Sequence, residues 1–106
     1  MTKTRTIPPE LFEHAERETW FSHEHATRVL DWLESQGLPL WGMETGRKLA
    51  DGNWMLLVDP MLVTCLGYKG TEETPELIAE SISEGREFLS NNLGGDLMFE
   101  PTWPGY

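Results

Sequence analysis

Glu76, Glu80, Glu84 and Glu87 recur at helical spacing, with Glu72 and Glu73 just ahead of them. At about 100° per residue, those spacings put the four on one side of a helix. Like charges at i, i+4 destabilise a helix by roughly 0.2–0.5 kcal/mol a pair. Glu76 gains from the positive end of the helix dipole, whereas Glu84 and Glu87 lie towards the negative end. Helix stability alone would not select this stripe. The chemistry it offers is recognition of a basic surface, and the plain alternative is a solvated face that happens to be acidic. From Lys69 to Glu87, six Glu against Lys69 and Arg86 leave a local net charge of −4.

Other side chains are weaker candidates. His23-Glu24-His25 opens an expected helix. At i, i+2 the two imidazoles diverge, whereas helical metal ligands need i, i+3 or i, i+4 spacing. With one cysteine, no Cys pair and no HExxH, no metal site is expected. Cys65 lies among Leu62, Val63 and Leu66 and reads as a small buried hydrophobe rather than a nucleophile. GxSxG, GxGxxG and Walker-A loops are missing from the sequence. No enzyme and no cofactor are expected, although acid/base pairs assembled in three dimensions stay open to a small hydrolase. Five Trp divide by context. Trp32 and Trp54 fall in apolar patterns and read as core. Trp41 and Trp103 stand beside Gly and Pro and are candidate anchors, because Trp buries a large area at an interface for little entropy. The candidate partner-binding set is therefore Glu73, Glu76, Glu80, Glu84, Glu87, Trp41 and Trp103.

The whole chain has 106 residues and a formal net charge of −10, with 39% hydrophobic and 25% charged residues. That composition predicts one globular domain over residues 1–106, with residues 1–6 as a frayed tail. The charge opposes binding to nucleic acid and to anionic membranes, and favours a basic protein partner. No run of about 18 apolar residues is present, and Met1 to Thr6 lacks the apolar stretch of a signal peptide. A cytoplasmic setting is expected.

The elements that position these residues follow from pattern. Pro8 and Pro9 start a short helix, Pro9 to Arg17. Ser22 and Gly37 bracket a second helix, in which Ala26, Val29, Leu30 and Leu33 form the buried face. Leu38 to Met43 reads as a strand. Asp51-Gly52 marks a hairpin turn. Trp54 to Val58 is apolar throughout and reads as a central strand covered on both faces. Asp59-Pro60 is expected to break it, and Met61 to Tyr68 to form another strand. Thr74 and Pro75 open a helix in which Leu77, Ile78, Ser81, Ile82, Gly85, Phe88 and Leu89 fall on one side. Asp96 to Glu100 is a last strand. The order α-α-β-β-β-α-β predicts an α+β fold, a small and mostly antiparallel sheet of three to four strands with helices packed on one face.

The run Ile7-Pro8-Pro9-Glu10-Leu11, then Trp20, Glu24-His25-Ala26, Val29-Leu30-Asp31-Trp32-Leu33 and Gly37-Leu38-Pro39-Leu40-Trp41-Gly42, resembles bacterial polymorphic-toxin immunity proteins. It is most similar to the family called immunity protein forty. Asn53-Trp54, Glu80-Ser81, Phe88-Leu89-Ser90-Asn91-Asn92 and Leu97-Met98-Phe99 stand at comparable places. The family's Gly-Gly-Asp turn is replaced by Gly42-Met43-Glu44, so no functional residue is carried across. The resemblance implies a small soluble inhibitor that binds and blocks a toxin domain. A second class, a phage or mobile-element inhibitor that mimics nucleic-acid charge, fits the same acidity.

Overall fold

The computed structural model describes residues 20–67, 72–93 and 95–104. The expected helix from Pro9 to Arg17 and the residues 1–6 lie outside that range. Helix α1 (His23–Gln36) begins where Ser22 accepts a hydrogen bond from the His25 N–H, and ends at Gly37, whose φ of 67° is left-handed. That conformation suits glycine, and the Gly37 N–H satisfies carbonyls of the last turn. Ala26, Val29, Leu30 and Leu33 are buried as their spacing requires.

Strand β1 (Gly42–Lys48) and strand β2 (Trp54–Val63) form an antiparallel hairpin whose register runs to Lys48 opposite Trp54. Gly52 supplies the positive φ of 85° in the connecting turn. Helix α2 (Pro75–Ser90) follows, capped by the Thr74 hydroxyl, which accepts from the Leu77 N–H at 3.2 Å. Strand β3 (Leu97–Thr102) returns antiparallel to β1, so the sheet order is β2-β1-β3. A bridge between Phe21 and Phe99 adds a short fourth segment beyond β3. The fold is α+β with an antiparallel sheet, as the element order predicts.

Four strand expectations are corrected. Leu38 and Leu40 are buried but lie before the first strand, which is Gly42–Lys48 rather than Leu38 to Met43. The Leu40 N–H donates to the Ser81 hydroxyl at 3.1 Å, and its carbonyl accepts from the Thr64 hydroxyl. Side chains therefore take the bonds a ladder would have used. Asp59-Pro60 does not end β2. Between Met43, opposite Leu62, and Thr45, opposite Leu57, the strand bulges, so that Glu44 faces four residues of β2. Such a bulge is where a strand tolerates proline. Within the described residues 61–67 the expected strand Met61 to Tyr68 is accordingly not separate, because β2 runs on to Val63 and a turn follows, while Tyr68 lies outside the described residues. Finally, β2 sits at the edge of the sheet, and the polar β1 is central.

The core lies between α1, α2 and one sheet face. Leu30, Leu33, Leu40, Met43, Ile82 and Phe99 share it. Burying one such side chain contributes about 1.5–3 kcal/mol. Gly85 is a close contact of α2 with this layer: a Cβ there would collide with Leu40 Cδ2 and stand 3.2 Å from Leu30 Cδ1. Arg86 ties α2 to α1 through Asp31 at 2.8 Å and Glu34 at 3.4 Å.

Candidate functional site

The turn from Thr64 to Gly67 is the joint of the surface on which the acidic residues lie. Thr64 is buried. Its hydroxyl bonds the carbonyls of Leu40 and Trp41 and accepts from the Leu66 N–H. The Trp41 backbone is held on both sides, donating to the Thr102 carbonyl at 2.8 Å and accepting from the Thr64 N–H at 3.1 Å. Its indole N–H donates to Glu73 Oε2 at 3.1 Å, and the ring remains 39% exposed. The structure thus brings together Trp41 and Glu73, two residues singled out by type alone and 32 apart in sequence. A hydrogen-bonded, partly exposed indole is preorganised for contact.

The acidic stripe divides. Glu73, Glu76, Glu80 and Glu87 are exposed. Glu84 is half-buried and accepts from the Cys65 backbone N–H at 2.9 Å, so part of its charge serves the turn. Cys65 itself donates from its thiol to the Leu77 carbonyl at 3.5 Å. Burial first, then the neighbouring Glu84 and Glu80 carboxylates, push its thiol up to about 11. At neutral pH it is protonated and a poor nucleophile.

Trp103 is corrected as an anchor. It is 2% exposed, and its ring meets Trp32 edge-on at a centroid distance of 5.9 Å. An irregular Pro-flanked segment signals no exposure when it folds back over a helix, and Trp103 offers a partner no surface. His23 and His25 do not converge either. His23 donates from Nε2 to the Leu89 carbonyl at 2.6 Å, stitching the start of α1 to the end of α2, while His25 Nδ1 lies 2.9 Å from the Ser22 hydroxyl. Among the described residues no group of three His, Cys, Asp or Glu could hold a metal ion, and no helix is long and apolar enough to cross a membrane.

Sequence reasoning missed two parts of this surface. The first is the outer strand: Met55, Leu56, Met61 and Val63 of β2 are all exposed. The second is a cleft of about 270 Å³ lined by Trp41, Glu44, Met61, Val63, Gly67 and Thr102 around Gly42. The available signal was the alternation of Gly42, Glu44 and Gly46 with Met43 and Thr45, which puts small residues on either side of Glu44 on one face of β1; Gly46 on that face lies under the Trp20 ring. A second cleft of about 280 Å³ lies between the end of α1 and α2, with Ile78, Ala79 and Ile82 on its wall. Its carboxylate, Glu34, lies 3.4 Å from Arg86. Comparison with protein-family models, with curated proteins and with solved structures finds no match to this chain.

Proposed function

We propose that this chain is a small acidic binding protein that docks on a basic surface of a toxin domain and blocks it, as the resemblance to immunity proteins implies. The observation that carries the reading is the continuity of the surface. Glu84 and Glu80 lie beside Cys65 in the Thr64–Gly67 turn, Glu73 bonds the Trp41 indole, and Gly67 shares a cleft with Trp41, Met61 and Val63, while exposed Glu76 lies on the same helix as Glu80. Acidic rims steer a basic partner in and suppress others, while an apolar centre supplies affinity. The apolar component favours a protein partner over pure mimicry of nucleic-acid charge, which needs carboxylates alone. The reading places the chain in the cytoplasm, where it would meet a toxin inside the cell that makes it.

The test is co-expression with the protein encoded beside it. Growth is expected to be lost when that protein is made alone and restored by this chain, with a complex isolable from the same cells. The double variant Glu76→Lys and Glu80→Lys removes exposed charge without touching the Glu84 contact. It is expected to slow association about tenfold at low salt, with the gap closing as salt rises. No complex and no rescue would sink the proposal, and an unchanged association rate would remove the acidic face from it.

A further inference from the structure

We infer that the cleft beside Gly42 and Glu44 is an anchor site for an arginine side chain of the basic partner, an assignment that rests on the docking reading above. Its volume, about 270 Å³, falls below the roughly 300–1,000 Å³ of small-molecule sites. A cleft of that volume has room for one long side chain. The walls are of two kinds. Met61 and Val63 are apolar and exposed, suited to the methylene stem, and Trp41 adds an aromatic surface for a cationic head. Glu44 supplies the charge.

Glu44 is half-buried, and among the described residues its carboxylate makes no hydrogen bond or ion pair. It also lies directly opposite Glu100 across the β1–β3 pairing, on the same face. Glu100 has an interaction of its own, so the carboxylate left to meet an entering cation is that of Glu44. Glu73 holds the indole of Trp41 from outside the cleft and fixes the ring that the cation would meet. Guanidinium fits better than ammonium because it is planar, less strongly hydrated and stacks on aromatic faces.

Titration of the intact chain with N-acetyl-arginine methylamide tests the site without any partner. The readout is the two-dimensional amide and indole NMR spectrum. Shifts are expected at the Trp41 indole and at the amides of Gly42, Glu44, Val63, Gly67 and Thr102. The uncharged norvaline analogue should leave them in place, and the lysine analogue should bind about threefold more weakly. Glu44→Gln, judged folded by its dispersed spectrum, should weaken binding about fivefold, and Trp41→Leu by about threefold. Shifts scattered over the acidic face of α2, equal shifts with norvaline, or binding unchanged in Glu44→Gln would overturn the assignment. If the cleft fails this titration while the Glu76→Lys/Glu80→Lys pair still slows association with the partner, the anchor falls and the docking reading stands. If the cleft binds arginine and no partner complex forms, the docking reading falls alone.

Discussion

Leu40 and Leu56 are one residue type in two opposite conditions. Leu40 is fully buried, its N–H taken by Ser81 and its carbonyl by Thr64. Leu56 is 61% exposed on a strand whose outer side has no neighbour in the sheet order among the described residues. The difference extends to whole regions. On the helix side, apolar residues interlock closely enough that a methyl group at Gly85 would force the Leu40 side chain to shift, and buried polar side chains among the described residues all have partners. On the outer strand, Met55, Leu56, Met61 and Val63 face solvent in a row. The first region is built to hold the fold, and the second contributes little to it. Apolar surface kept uncovered is a mark of interaction sites.

Breaking that comparison calls first for Trp103. Trp103→Ala is expected to lower unfolding free energy by about 3–5 kcal/mol, because it empties a buried site against Trp32. Against a typical total of about 5–15 kcal/mol, that approaches loss of the fold. Urea denaturation followed by far-ultraviolet circular dichroism measures it, and a stability near that of the parent chain would show the ring to be dispensable. Ser81→Ala comes next. It leaves the buried Leu40 N–H without its acceptor, and about 1–3 kcal/mol should be lost in the same assay. The smallest effect belongs to the outer strand: Leu56→Thr is expected to change stability by no more than about 0.5 kcal/mol. A loss well above 1 kcal/mol would mean that the edge is part of the packing, and the contrast between the regions would disappear.

Much of the helical side was legible in the sequence because its signals are local. Ser22, Gly37, Thr74 and Pro75 act on their own helix ends, and helical spacing picks out the buried residues of both helices. Ser81 fell on the buried face by spacing, although its use as an acceptor for Leu40 depends on residues 41 positions apart. The sheet was less legible, for a physical reason. An apolar run implies covering on both faces only if something covers it, and strand order is set by pairings that the run does not contain. Here the most apolar strand is outermost, and the central one carries Glu44, Arg47 and Lys48. In the candidate site, exposure decided what residue type could not. Trp41 and Trp103 have similar sequence settings, yet one lies at the surface and the other in the core. Glu84 matched the stripe by spacing, while its contact with the Cys65 N–H needed the fold.

The bulge in β2 carries a consequence for how the protein behaves in concentrated solution. A long, flat, apolar edge invites another copy to add its own strand, and fibres grow by repeating that step. Stacking of this kind needs an uninterrupted segment of about six or seven residues without proline. The mismatch opposite Glu44 divides β2 into Trp54–Leu57 and Leu62–Val63, with Pro60 between them and no N–H there to offer. Each stretch is too short to template a sheet. The proline that would ordinarily mark the end of a strand instead interrupts an apolar edge that would otherwise suit strand addition.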